Sequence, residues 1–223
     1  MKPRELVATA TVPGHGVPLQ CWQHDGAHAL WLGRTELMSS RVHESEEALA
    51  ELAVAARGKA ACKRVLVGGL GMGFTLAKLL ACVEPETQVE VVELVPEVIG
   101  WNRDLFGHHA GHPLRDPRVQ LRIGDVRDGL AAGKGQYDLA LLDIDNGPEA
   151  LVHPGNDALY SVPGLMQVRD TLKPQGVLGV WSSGASDAFA GRLRSVGFVV
   201  TTHNTRARGR RGPRRTIWTC QRR

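Results

Sequence analysis

The sequence predicts an α/β fold: a doubly wound, mostly parallel seven-stranded sheet with helices on both faces, preceded by a small N-terminal β-region. Three observations carry this expectation. Between Arg64 and Leu94, an apolar run, four glycines, a helical pattern and a β-branched run follow in the order strand, turn, helix, strand. Downstream, apolar strand patterns and helical patterns keep alternating, which calls for parallel pairing through crossover helices. The last two strand patterns have no helix between them, so a terminal hairpin places one antiparallel strand into the sheet.

The elements follow in order. Residues 1–42 read as a β-meander. Its runs L-V-A-T-A-T-V, V-P-L-Q-C-W-Q and A-H-A-L-W-L-G-R-T-E-L-M are broken by Pro13–Gly16 and by His24-Asp25-Gly26, whose D-G step is a hairpin turn. Residues 43–63 read as a connecting helix, running from about Glu44 to Ala56 and ended by Gly58. Residues 64–223 read as the main, nucleoside-binding domain. After the opening unit, Pro96 suits the first turn of a helix through Leu105. The polar loop G-H-H-A-G-H-P-L-R-D-P leads to strand V-Q-L-R-I and Gly124-Asp125. Then come a short helix over Val126–Ala132, a buried strand over Tyr137–Ile144, a helix over roughly Pro163–Leu172, strand V-L-G-V-W-S-S, and a helix over Asp187–Val196. F-V-V-T-T-H-N and R-T-I-W-T-C-Q flank an arginine loop as a hairpin. There is no internal repeat.

Composition sets the bounds. At 223 residues and 43% hydrophobic, the chain can bury the core of one such domain with a small appendage, which excludes a mostly disordered chain. No apolar run approaches the roughly 18 residues that span a bilayer. The N-terminus lacks a sustained apolar stretch, so no signal peptide is read. Cys21, Cys62, Cys82 and Cys220 are scattered, with no C-x-x-C pair, and read as reduced thiols of a cytoplasmic protein. The net charge of +4 hides an asymmetry: the last nineteen residues hold eight arginines and no acid, and the rest is slightly acidic.

The opening strand-turn-helix-strand unit carries the functional signal. Gly68, Gly69, Gly71 and Gly73 let the backbone take positive φ or pass close to a ligand. Glu93, about 20 residues on at the tip of the second strand, stands where it can accept both hydrogen bonds of a ribose diol. Strand ends of a parallel sheet face the ligand crevice, which adds Asp125 and Asp143. Asp143 and Asp145 also suit a turn, but a free charge ending an apolar strand is costly. Tyr160 and Trp181 lie near the predicted crevice edge, as pocket lining or, more simply, core. Glu44, Glu46 and Glu47 offer an acidic rim for a cationic ligand or a solvated helix face. His108, His109 and His112 suit a solvated loop better than a metal site. Arg206–Arg215 would contact phosphates of a nucleic acid, but without interleaved aromatics or a basic surplus elsewhere a solvated hairpin loop is favoured.

The order of elements resembles the class I S-adenosylmethionine-dependent methyltransferase fold and, within it, the spermidine synthase (polyamine aminopropyltransferase) family. The resemblance spans nearly the whole chain. It rests on the N-terminal β-region, G-G-L-G-M-G, V-V-E-L, I-G-D at Ile123–Asp125 and Y-D-L-A-L-L-D at Tyr137–Asp143. It implies a transferase that moves an aminopropyl group from decarboxylated S-adenosylmethionine to a small amine, with no metal, as a homodimer. It places Gly68, Gly69 and Gly71 under the nucleoside and sulfonium, Glu93 on the ribose hydroxyls, Asp125 on the adenine amino group and Val126 beside the ring. Asp143 takes the position of the catalytic aspartate and Asp145 lies near the amine-binding acid. Glu46, with Tyr160 from the crevice edge, falls on the acceptor side.

Three departures stand out. The family's G-G-G-D-G-G has an aspartate that helps hold the amino end of the decarboxylated donor; Gly71 stands there. Its D-x-x-D-P becomes D-I-D-N-G-P at Asp143–Pro148, and its substrate glutamine and tyrosine align with Leu37 and Glu46. Intact S-adenosylmethionine carries a carboxylate that the aspartate would repel. Its loss therefore keeps methyl transfer from S-adenosylmethionine to a small molecule or RNA as the alternative, ahead of a non-catalytic nucleoside- or RNA-binding module.

Overall fold

The computed structural model describes residues 3–58, 60–131, 133–144, 147, 156–208 and 211–223. Strands β1 (Glu5–Ala10), β2 (Leu19–His24), β3 (Ala27–Leu32) and β4 (Thr35–Ser39) form an antiparallel meander in sequence order. Asp25 and Gly26, both in the left-handed region (φ 48° and 75°), make the β2–β3 turn tight enough for a two-residue hairpin. The third sequence run is two strands rather than one, because Gly33 at φ 58° turns the chain between β3 and β4. Helix α1 (Glu44–Arg57) follows, with Glu44, Glu46 and Glu47 in its first turn, where the helix dipole favours negative charge.

The remaining elements are β5 (Arg64–Gly68), α2 (Phe74–Cys82), β6 (Gln88–Glu93), α3 (Pro96–Asp104), β7 (Val119–Ile123), α4 (Val126–Ala131), β8 (Tyr137–Leu142), α5 (Asn156–Tyr160), α6 (Val162–Thr171), β9 (Leu172–Ser182), α7 (Asp187–Ser195), β10 (Phe198–Arg208) and β11 (Arg211–Arg222). Seven strands pair in the order β10-β11-β9-β8-β5-β6-β7. β5 to β9 run parallel, and β11 runs antiparallel to both of its neighbours, as the terminal hairpin predicted. The order reverses beside β5, with β6 on one side and β8 on the other. That switch point opens a crevice above the end of β5.

Local differences from the sequence reading have simple causes. The loop after α3 contains two short 3-10 turns, Gly107–Ala110 and Pro113–Arg115. The strand expected through Ile144 ends at Leu142, and the five-residue α5 was not foreseen. The hairpin strands do not stop at the arginines: cross-strand pairing continues through Thr205 with Arg215 and Arg206 with Arg214.

The sheet is buried on both faces, which is why β8 reads as an unbroken apolar run. One core layer joins Val65, Val67, Val91, Leu139 and Leu141 to α1, α2 and the inner face of the meander through Leu30 and Leu32. The other joins Leu66, Val92, Ala140, Leu142 and Val180 to α4, α6 and α7. The meander thus shares a core with the first layer. Among the described residues, no helix is long and apolar enough to cross a membrane.

Candidate functional site

The site begins where β5 ends. Gly69 donates its N–H to the Val92 carbonyl oxygen at 2.9 Å. A side chain at Gly69 would collide with the Asp143 carbonyl oxygen, and one at Gly68 would stand 2.7 Å from Val126 Cγ2. Absence of side chains here lets β5, β8 and α4 meet. Gly69, Gly71 and Gly73 all take positive φ (85°, 50° and 86°). Asn102 on α3 braces the loop, donating from Nδ2 to the Gly71 carbonyl oxygen at 2.7 Å.

At the tip of β6, Glu93 is buried. Its Oε2 accepts from the Leu70 N–H and its Oε1 from the Val95 N–H, both at 2.8 Å. Burial raises its pKa, and these backbone donors oppose the rise. Asp125, after β7, accepts from the Arg127 N–H at 2.9 Å and from its guanidinium at 2.7 and 3.0 Å. Glu93, Asp125 and Val126 line one cavity together with Gly69, Gly71, Glu46, Asp143 and Trp181. Gly68 lies beneath it.

The second half of the cavity holds two acids, Glu46 buried and Asp143 partly so. Asp143 follows β8, and its Oδ2 accepts from Thr75 Oγ1 in the first turn of α2 at 2.5 Å. Glu46, 7% exposed, comes from the first turn of α1. Its Oε2 accepts from Ser45 Oγ at 2.5 Å. Burial pushes the Asp143 carboxyl up to about 6, against the Thr75 hydrogen bond. Burial, and then the charge on Asp143, push Glu46 up to about 7. Two carboxyls in this relation titrate as a pair, and a cation between them relieves both.

Three further residues were not singled out for this site. Thr75 sits two residues after the glycine loop, where a hydroxyl in a helix's first turn was the available signal. Arg215 lies in the arginine-rich stretch, yet its guanidinium stands 5.5 Å over the ring of Trp181 and lowers the pKa of Glu46. Met38 covers the glycine loop: a Cβ at Gly71 would stand 2.8 Å from its Sδ and Cε. The rest of the roof comes from the N-terminal region and is mostly apolar, with Val12, Leu19, Leu30, Leu32 and Leu37 beside His15.

Other candidates sit elsewhere. Tyr160 is buried in the opposite core layer, edge-on to Phe189 at 5.4 Å, and is absent from the cavity lining. Trp181 does line the cavity, and its buried Nε1 has no hydrogen-bond partner among the described residues. Asp145 lies outside the described residues. Glu47 pairs with Lys78 and His43 on the helix surface. The histidine loop differs from expectation: His108 and His109 are joined by His28 from β3, rather than by His112, in one cluster.

Comparisons with known proteins agree with this architecture. Residues 43–183 match the family model of the spermine/spermidine synthase domain. Putrescine N-methyltransferase 2 of Nicotiana attenuata is 32% identical over 116 residues, 52% of this chain and 30% of that protein. A polyamine aminopropyltransferase of Korarchaeum cryptofilum is 29% identical over 122 residues, 55% of this chain and 36% of that protein. The chain thus spans about a third of the length of the curated relatives it matches. Among solved structures, a spermidine synthase in complex with the transition state analogue AdoDATO superimposes with a TM-score of 0.76 at 16% identity, over 98% of this chain and 72% of that one. The spermidine synthase of Thermotoga maritima gives 0.75, also at 16% identity, over 98% of this chain and 73% of that one. These structural likenesses bear on the fold.

Proposed function

The chain belongs to the spermine/spermidine synthase domain family, and from that premise we propose that it transfers the aminopropyl group of decarboxylated S-adenosylmethionine to the nitrogen of a small amine. The observation that carries this reading is the pair of carboxyls with raised pKa, Asp143 and Glu46, lining one cavity with Gly69, Glu93 and Asp125. In this reading residues 64–223 hold the donor, residues 1–42 roof it, and the connecting segment 43–63 supplies Glu46.

The residues present fit such a donor. Glu93 accepts the ribose hydroxyls at the tip of β6. Asp125 and Val126 take the adenine edge and face, and the glycines let the backbone pass close beneath. The bound donor supplies a carbon already activated by its sulfonium. The amine's lone pair forms the new C–N bond, the C–S bond breaks, and its electrons remain on a neutral thioether. The protein's part is alignment and removal of a proton. An amine arrives protonated at neutral pH. Asp143, with its pKa raised towards the working pH, accepts that proton, and Glu46 holds the cation beside it. Asp145 is assigned as a second amine-binding acid. The mostly apolar roof, in which His15 is the polar side chain, favours an acceptor with an ammonium near these acids and a largely apolar body.

A second reading, methyl transfer from intact S-adenosylmethionine, is favoured by one observation. Met38 packs over Gly71, so no carboxylate stands there to select the decarboxylated donor. Side-by-side calorimetric titration with the two donors separates the readings. Tighter binding of the decarboxylated form is expected; tighter binding of the intact form replaces aminopropyl with methyl transfer, and binding of neither removes both.

A further inference from the structure

A cluster away from the cavity has no part in the chemistry above. His28 lies on β3, locked by two bonds to Ser40: its N–H donates to Ser40 Oγ at 3.0 Å and its carbonyl oxygen accepts from the Ser40 N–H at 2.9 Å. His108 and His109 are consecutive in the 3-10 turn after α3. Their ring nitrogens and those of His28 converge, with one ligand atom from each residue within 4.8 Å of the others. His28 Nδ1 and His109 Nε2 are 2.9 Å apart, and the His108 and His109 ring centroids are 4.0 Å apart. None of the three lines the cavity around Asp143.

We propose that His28, His108 and His109 bind a divalent transition metal of the zinc class and so clip the N-terminal sheet to the segment after α3. Imidazole is a preferred ligand of such ions. Tetrahedral zinc holds nitrogens at about 2.0–2.1 Å, which sets neighbouring nitrogens about 3.3 Å apart. The 2.9 Å pair opens to that spacing by a few tenths of an ångström, and His108 closes in by rotation of an exposed side chain. Metal ligands must be deprotonated. At 2.9 Å one of the His28 Nδ1 and His109 Nε2 atoms carries the hydrogen between them, and metal binding moves it to the far ring nitrogen. His28 is buried, which excludes water from one side, while His108 is exposed and leaves an entry path and an open fourth position. A simple surface loop of histidines would not recruit a third, buried imidazole from a different sheet.

The test uses the full chain without a histidine tag, stripped with a chelator and dialysed. Zinc is titrated by calorimetry and cobalt(II) by visible absorption. One metal per chain is expected, with micromolar or tighter affinity, visible bands of four- or five-coordinate cobalt, and a thermal midpoint that rises with zinc. His109→Gln and His108→Gln each weaken binding at least tenfold, and His112→Gln leaves it unchanged. His108→Gln is the safer variant because that side chain is exposed, and circular dichroism confirms that it folds. Absence of stoichiometric binding by the unaltered chain overturns the proposal. Undiminished binding by folded His108→Gln does the same, as does loss on His112→Gln without loss on His108→Gln.

Discussion

Asp138 stands near the start of β8 and Asp143 just past its end, the first buried and the second partly buried, in opposite circumstances. Asp138, at the start of β8, has four donors. The N–H groups of Lys63 and Arg64 reach it at 3.0 Å, Lys173 Nζ at 2.8 Å and Arg57 Nη2 at 3.3 Å. Burial would raise its pKa, but Lys173 and the backbone donors prevail and hold it below the usual range. Asp143, just past the strand's other end, has the Thr75 hydroxyl and a second acid nearby, and burial prevails. The first carboxylate ties α1, β5 and β9 together. The second is left under-satisfied at the crevice, where a cationic substrate completes it. A partly buried acid with a raised pKa and, among the described residues, a single side-chain donor points to a ligand.

The largest expected effect breaks the pair at its functional end. Asp143→Asn should lower turnover by about 10²–10⁴-fold, the usual range for a lost general base, while donor binding by calorimetry is retained. Unchanged turnover would remove the functional half of the contrast.

At the other end, Asp138→Asn should cost about 2–3 kcal/mol of stability, since it strips the charge from a buried, cation-paired group, and should leave turnover per folded molecule near normal. The sign with pH follows from its depressed pKa. Its stabilisation is present above the unfolded value near 4 and is lost as pH falls through the folded value. Denaturant melts of variant and parent should therefore converge on acidification; a gap that widens would contradict the pairing.

Much of this was legible in the chain, for identifiable reasons. Glu93 and the glycines are neighbours through local order, a strand, a turn and a helix, so spacing reveals them. Asp143 shows because a charge ends an apolar strand. Glu46 was assigned to the acceptor side, but its pairing with Asp143 depends on α1 packing on the sheet. Arg215 reaches Trp181 only through the β9–β11 register, which pairs Ile217 with Trp181. Met38 covers Gly71 only because the Gly33 turn folds β4 back. Such contacts are set by tertiary pairing, which leaves no periodic signal. Tyr160 misled in the converse way: it closes α5, which turns its ring into the core.

Glu46→Gln sharpens the contrast through stability alone. A group whose folded pKa is raised to about 7 imposes a penalty that is absent below its unfolded value, grows from about pH 4.5 to 7 and is complete above. The variant should be more stable than the parent at pH 8 by on the order of 1–2 kcal/mol, and the two melts should meet near pH 4.5. Equal stability at both pH values would mean that Glu46 is not held against its ionisation.

The smallest effect is the most specific. Thr75 offers one hydroxyl hydrogen to two acceptors, Asp143 Oδ2 at 2.5 Å and the Glu46 carbonyl oxygen at 3.2 Å. The shorter bond stabilises the ionised form of Asp143. Thr75→Val removes it, so the Asp143 pKa rises further. A base must be unprotonated to act, so activity falls as pH drops through that pKa, and the acid limb of the kcat/KM profile should move to higher pH by roughly half to one unit, the equivalent of one hydrogen bond. Thr75→Ser restores the hydroxyl and should return the limb. Asp138→Asn, at the far end of the strand, should leave it in place. A limb that ignores Thr75→Val would mean that the group limiting activity in acid is not Asp143, however buried that carboxyl is.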